Sequence, residues 1–447
     1  MAQSKLTERI SEALAEVKLI DTHEHLVPER VRLGLTLDFT YLLPHYLSSD
    51  LVSAGMPPHD LEIIRAPGRK MREGLRTRIY PRDAAYLFSD RLPEEEPSLE
   101  DKWRAFQPYW EKTRNTGYAR SILIAIQDLF GLEDLNEGTY QPLSEALQNS
   151  NWAGWYRYVL KDRAGIDMCV HDCLSTQEDK ELFAPAIRFD RFVDLRDPAD
   201  VQRLEYDTNT PIRSVDDLVR ALQSDMASKV EEGMVAVKSG LAYQRIIHYG
   251  EATHHEAEQV FNRLFRHPQE RLSWEEARPL QDYMMHQVIR QAIEHRRPIQ
   301  IHTGLQEGNA NVITNSHPAH LVNLFLQYPQ ARFDIFHASY PYHSELAALA
   351  KNFANVYADM CWMYIISPWM AGNILHEWLE TIPANKILGF GGDYIIPEGS
   401  YGHARLARQV IVQVLAQKVK SGYFNEREAV TFGRMIMRDN ARELFGL

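Results

Sequence analysis

His23 and His25, separated only by Glu24, end the run Leu19-Ile20-Asp21-Thr22, and their spacing is the first sign of chemistry in the chain. On a β-strand, side chains two positions apart point to the same face. Both imidazoles can then be offered to one point in space, as two neutral nitrogen ligands for a divalent metal. Short motifs of this kind also arise by chance, so the reading depends on further ligands arriving in a compatible place. His302, His337 and Asp393 are the candidates. Each follows a short apolar run: Ile299-Gln300-Ile301, Phe333-Asp334-Ile335-Phe336, and Ile387-Leu388-Gly389-Phe390-Gly391-Gly392. Lys238 ends Met234-Val235-Ala236-Val237 in the same way.

The elements that must position these residues follow a regular alternation. From residue 150 onward, helical patterns at 152–161, 215–230, 274–295, 320–328, 344–352 and 374–381 are interleaved with strand-like runs. Those runs lie at 166–170, 183–189, 233–238, 297–302, 332–337, 356–359 and 387–393. Strands alternating with helices imply parallel pairing through right-handed crossovers. With the opening strand, the pattern predicts a single (β/α)₈ TIM barrel over residues 1–447, closed by helices at 402–420 and 426–445. No G-x-G-x-x-G follows an early strand, which argues against a dinucleotide-binding sheet. In a barrel the carboxyl ends of the strands converge on one face, where such enzymes keep their active sites. Strand 1 (His23, His25), strand 4 (Lys238), strand 5 (His302), strand 6 (His337) and strand 8 (Asp393) would then meet in one cup.

Residues 27–115 interrupt this rhythm. They are rich in proline, from Pro28 to Pro97, carry helical pieces such as 60–65, and hold an acidic Glu94-Glu95-Glu96 with Asp101 that reads as an exposed linker. The stretch is expected to be a large, mostly helical insertion after strand 1. Trp103, Phe106, Tyr109 and Trp110, in a helical pattern running to about residue 148, read as a core stripe.

Three imidazoles and a carboxylate suit Zn²⁺, with Mn²⁺, Fe²⁺, Co²⁺ or Ni²⁺ as alternatives. His23, His25, His302 and Asp393 are the expected ligands, leaving one position for a water whose pKa the ion lowers from 15.7 to about 7. Asp393 could also act as general base and then acid. His337 would polarise a substrate carbonyl or position the water.

Composition excludes other classes. Lys+Arg 49 against Asp+Glu 61 gives −12, which argues against nucleic acid or an anionic membrane as partner. The amino-terminal stretch lacks the apolar core of a signal peptide, and no run approaches a membrane span. Cys169, Cys173 and Cys361 are unlike a disulfide framework, and the first two read as buried structural thiols. A soluble cytoplasmic protein acting on a small molecule is expected, with homo-oligomerisation left open.

The order H-x-H, strand-5 His, strand-6 His and strand-8 Asp resembles the amidohydrolase superfamily. The strings Ile301-His302-Thr303-Gly304, Phe336-His337-Ala338-Ser339-Tyr340-Pro341-Tyr342, Gly392-Asp393 through Pro397-Glu398, and Asn440-Ala441-Arg442-Glu443-Leu444-Phe445 carry the likeness further. They are similar to the amidohydrolase-related group that includes uronate-isomerase-like proteins and the amidohydrolase-like regions fused to glutamine synthetase-type domains. The resemblance covers most of the chain from residue 150 on, plus residues 18–30. It implies for Lys238 either a carboxylated lysine bridging two metals or an unmodified lysine contacting a substrate carboxylate together with Arg245, and the second is preferred. Glu307 and Tyr340, in the loops after strands 5 and 6, are further candidate substrate contacts. Lys238 and Arg245 suggest an anionic substrate. The resulting expectation is a metal-dependent amidohydrolase that cleaves a C–N bond of a small carboxylate-bearing molecule. A uronate isomerase or non-oxidative decarboxylase on the same scaffold, or a catalytically silent barrel, are the alternatives.

Overall fold

A computed structural model describes residues 2–43, 45–64, 97–173, 179–266, 269 and 271–447. Eight parallel strands, β1 (Leu19–Glu24), β2 (Ile166–Cys173), β3 (Phe183–Arg188), β4 (Ala236–Ser239), β5 (Ile299–Ile301), β6 (Phe333–Ile335), β7 (Val356–Asp359) and β8 (Ile387–Leu388), pair in sequence order. The ring is completed by backbone hydrogen bonds from Thr22 to Phe390, Asp393 to His23, His25 to Tyr394 and Val27 to Ile395. The molecule is therefore a (β/α)₈ barrel. Its strands are short: His23 and Lys238 lie within β1 and β4, while His302 and His337 stand just beyond β5 and β6, and β8 ends five residues before Asp393.

Ile20, Val170, Ala186, Ala236 and Leu388 fill the amino end of the barrel. The closing helix, Asn440–Phe445, packs Ala441, Leu444 and Phe445 against them. Burying this apolar set contributes about 25 cal/mol per Å² and leaves the opposite end free for polar groups. The long helices start where local chemistry dictates: Ser273 and Glu276 form a capping box at Trp274–Glu294, as do Asn425 and Glu428 at Glu426–Arg434.

Between β1 and β2 the described chain is helical and runs past residue 115. After Glu29–Leu33, Tyr46–Ser53, Pro58–Ile64 and Leu99–Thr113 come Gly117–Phe130 and Tyr140–Asn149. Glu94, Glu95 and Glu96 lie outside the described residues. Asp101, expected in a linker, sits instead in the first turn of Leu99–Thr113, where the Ser98 hydroxyl accepts its backbone N–H. An acidic side chain there suits the positive end of the helix dipole. Trp103 and Phe106 are buried against Phe39, Trp103 stacks on Tyr140 and Trp110 on Phe106, so these three of the stripe are core, with Tyr109 half-buried at its edge. Cys169, Cys173 and Cys361 are buried free thiols. Among the described residues no helix is long and apolar enough to cross a membrane.

Candidate metal centre and active site

His23 and His25 present their Nε2 atoms 3.2 Å apart at the end of β1. Asp393 Oδ1 lies 3.2 Å from His25 Nε2 and 3.7 Å from His23 Nε2. Two glycines make this approach possible. A Cβ at Gly391 would stand 2.7 Å from Cys361 Sγ, and one at Gly392 would stand 1.9 Å from Glu24 Oε1. Neither position tolerates a side chain, so the chain leaving β8 runs hard against β1 and β7 and turns Asp393 into the cup. Tyr46, from the helical segment after β1, donates its hydroxyl to the Asp393 carbonyl.

His302 and His337 form a second facing pair, with His302 Nδ1 2.9 Å from His337 Nε2. His302 Nε2 lies 2.9 Å from the Leu305 carbonyl, and His337 Nδ1 lies 3.3 Å from the Cys361 carbonyl. A carbonyl only accepts, so His302 Nε2 carries its hydrogen and His302 Nδ1 is an acceptor turned toward His337. Burial holds both rings neutral: it pushes His337 down to about 3 and His302 well below the usual histidine value. Neutral imidazole nitrogens and a carboxylate converge in the cup, and that donor set fits a divalent ion. Burial likewise keeps His23 neutral. Burial pushes the Asp393 carboxyl up, and the hydrogen bond from His25 works against burial to hold it below the usual carboxylate range.

Several of these residues sit on strained backbone. His45, His337, Ala338, Ser339, Trp362 and Asp393 all have positive φ, between 50° and 73°. Non-glycine residues pay about 1–3 kcal/mol each for such conformations, and they gather where a site must hold a fixed geometry.

The cup is lined by His23, His25, His45, Tyr46, Arg188, Lys238, Gly240, Tyr243, His302, Glu307, His337 and Asp393. His23, His25 and Asp393 form one group with metal-ligand spacing. His302 stands outside that group, turned toward His337. Lys238 is buried with its Nζ 4.0 Å above the Phe336 ring. Burial and the Arg188 guanidinium lower its pKa, with Asp172 and Asp393 acting against them. Glu307 reaches the cup and accepts a hydrogen bond from the Ser49 hydroxyl at 3.2 Å.

Two expected substrate contacts lie elsewhere. Arg245 points to Asp282 at 2.6 Å and to Gln281 at 2.8 Å, a buried pairing that ties it to the helix Trp274–Glu294 and away from the cup. Tyr340 is half-buried outside the lining, and its carbonyl accepts the Leu305 N–H. The cation that does enter beside Lys238 is Arg188, at the end of β3. It donates from Nε at 2.7 Å to Asp172, at the end of β2. Asp172 Oδ2 in turn lies 3.7 Å from both His23 Nε2 and His25 Nδ1. Arg188 and Asp172 carried the same strand-end signal as the histidines. His45 and Tyr46 carried none, because the packing of the insertion brings them in.

Comparison with known proteins agrees with this fold. Residues 251–447 match the family model described as Amidohydrolase. Protein fluG of Emericella nidulans is 30% identical over 178 residues, a match that spans 38% of this chain and 20% of that protein. Among solved structures, a uronate isomerase of Thermotoga maritima superimposes with a TM-score of 0.74 at 16% identity, covering 99% of this chain and 97% of that one. A glucuronate isomerase of Caulobacter crescentus gives 0.73 at 17% identity, over 100% and 94%. A provisionally assigned metal-dependent hydrolase of Lactobacillus casei gives 0.66 at 18% identity, over 98% and 97%. At these identities the structural matches speak for the fold. The family match covers residues 251–447, which carry His302, His337 and Asp393, and over that part the chain is similar to amidohydrolases.

Proposed function

We propose that the protein is a metal-dependent amidohydrolase that cleaves a C–N bond in a small carboxylate-bearing molecule. The observation that carries the reading is the meeting of His23, His25 and Asp393 beside two cations, Arg188 and Lys238, in a small buried cup. A divalent ion held by those three residues would supply Lewis acidity, polarising a substrate carbonyl and acidifying a water. Everything else is work for the chain. The ionised Asp393 carboxylate takes the proton of the attacking water and returns it to the leaving nitrogen. His337 presents Nε2 to Asp393 Oδ2 at 3.8 Å, beside the reacting centre. Lys238 and Arg188 bind the substrate carboxylate, and Tyr46 holds the Asp393 loop. A small cup closed in by these buried side chains suits a compact metabolite more than a polymer.

A second reading, sugar-acid isomerisation, is favoured by the uronate and glucuronate isomerases among the structural relatives. It would use the same ion and the same anion-binding groups. The two separate on products. Metal-loaded protein is incubated with γ-glutamyl amides, N-acyl amino acids and aryl amides, and in parallel with uronates and aromatic acids. The proposal expects released amine or ammonia. Aldose–ketose conversion, or CO₂ release, with no hydrolysis would overturn it. His23→Ala should lower turnover by more than about 100-fold, since even the supporting partners of metal ligands are worth 10- to 100-fold.

A further inference from the structure

We propose that Cys361 is a metal ligand, forming with His337 and Asp393 a second, thiolate-bearing cation position beside the one at His23, His25 and Asp393. The two positions share the Asp393 carboxylate. The inference rests on the metal-dependent reading of the cup and is independent of the substrate.

A ring nitrogen of His337, the Cys361 sulfur and an Asp393 carboxylate oxygen lie within 4.8 Å of one another, and all three residues are buried. Asp393 divides its oxygens: Oδ1 faces His23 and His25 at 3.7 and 3.2 Å, while Oδ2 faces His337 Nε2 at 3.8 Å. A carboxylate placed between two groups of donors in this way can bind one ion through each oxygen. His302 Nδ1 stands 2.9 Å from His337 Nε2 and adds a nitrogen donor on the Oδ2 side, as the His23–His25 pair supplies nitrogens on the other. Gly391 is what lets Cys361 approach, since any Cβ there would stand 2.7 Å from its sulfur. Cys169 and Cys173 are equally buried, yet among the described residues neither belongs to a group with metal-ligand spacing.

Binding is a simple exchange. The S–H bond of Cys361 breaks, a metal–sulfur bond forms, and the proton leaves to solvent; nothing is oxidised or reduced. A sulfur, nitrogen and oxygen donor set prefers Zn²⁺, Co²⁺ or Fe²⁺ to Mg²⁺, Ca²⁺ or Mn²⁺. The added thiolate charge also offsets a second dication in a cup that already holds Lys238 and Arg188.

The test is titration of the metal-free full chain with Co²⁺. The expected result is two ions per chain, with a near-ultraviolet sulfur-to-cobalt band growing on the second equivalent. Cys361→Ser should bind one ion and show no band, its remaining ion reporting an intact first position. If that variant does not fold, X-ray absorption of the wild-type protein with two equivalents of Zn²⁺ decides, with sulfur expected at about 2.3 Å. One ion per chain, with or without sulfur, or two ions with no sulfur contact, overturns the proposal. Absence of the band from the wild-type protein with hydrolysis intact would separate this failure from failure of the proposed function.

Discussion

Asp172 lies outside the group formed by His23, His25 and Asp393, but it stands where a carboxylate governs metal ligands. Its Oδ2 is 3.7 Å from His25 Nδ1 and is held by Arg188 Nε at 2.7 Å. Burial opposes its ionisation, and the Arg188 guanidinium outweighs burial and keeps its pKa low. A carboxylate behind a ligating imidazole fixes ring orientation and raises ligand basicity. Asp172→Asn should therefore weaken metal affinity about 10- to 100-fold, measured by competition with a chelator, with little change in fold. A second carboxylate, Asp359, sets a pH dependence. Burial pushes it up to about 7, against hydrogen bonds from Thr22 and the Cys361 N–H. A carboxyl raised in the folded state contributes its stability below the unfolded value near 3.9 and loses it as pH rises through the folded value. The buried His337 and His45, both pushed down to about 3, act oppositely: their contribution is complete above an unfolded value near 6.5 and is lost as pH falls. Asp359→Asn keeps an acceptor for the Cys361 N–H and removes only the first effect. In urea unfolding, the stability of this variant relative to wild type should be greater at about pH 8 than at about pH 5; an equal difference at both would contradict the assignment.

At the scale of elements, the question is what holds the insertion over the barrel. Arg32, in the helix Glu29–Leu33, pairs with Glu398 at 2.9 Å, and both side chains are fully buried. Glu398 opens the helix Pro397–Lys420 and follows Asp393 by five residues. It also accepts the Trp155 indole N–H, while Arg32 donates to the Ser150 carbonyl and hydroxyl. One ion pair thus ties the insertion, the segment before β2 and the loop carrying Asp393. Arg32→Met strands a buried carboxylate and should cost about 3–5 kcal/mol in chemical denaturation. Adding Glu398→Met should restore much of that loss; a double variant as unstable as the sum of the singles would contradict the pairing. The elements themselves were legible in the sequence wherever period and length agreed, as at Ile166–Cys173 and Trp274–Glu294. The arrival of His45 and Tyr46 in the cup was not, because it depends on docking through contacts such as Arg32–Glu398 between residues hundreds of positions apart. Arg245 was misleading for a related reason: a strand-end loop cation looks the same in sequence whether it faces the cup or, as here, a carboxylate on the next helix.

For the whole molecule, a net charge of −12 would repel an anion, and the cup reverses that locally with Lys238 and Arg188. Lys238→Met should raise KM for the carboxylate-bearing substrate about 10- to 100-fold, as loss of a hydrogen bond to a charged group does, with a smaller change in kcat. A fall in kcat at constant KM would assign Lys238 to the chemistry instead. The barrel could be foreseen because eight alternations leave few topologies, and the cup because histidines ending apolar strands are conspicuous. The division of the histidines into two facing pairs needed coordinates, since it is set by the Leu305 and Cys361 carbonyls behind the rings. The central claim is that an ion held by His23, His25 and Asp393 drives hydrolysis of a C–N bond. It is tested most directly by turnover of an amide substrate in ¹⁸O-water, using metal-stripped, reloaded and Asp393→Asn protein. The account expects one ¹⁸O in the new carboxylate from the reloaded wild type, and no turnover above background from the other two. Equal turnover without metal, or a product lacking the label, would contradict it.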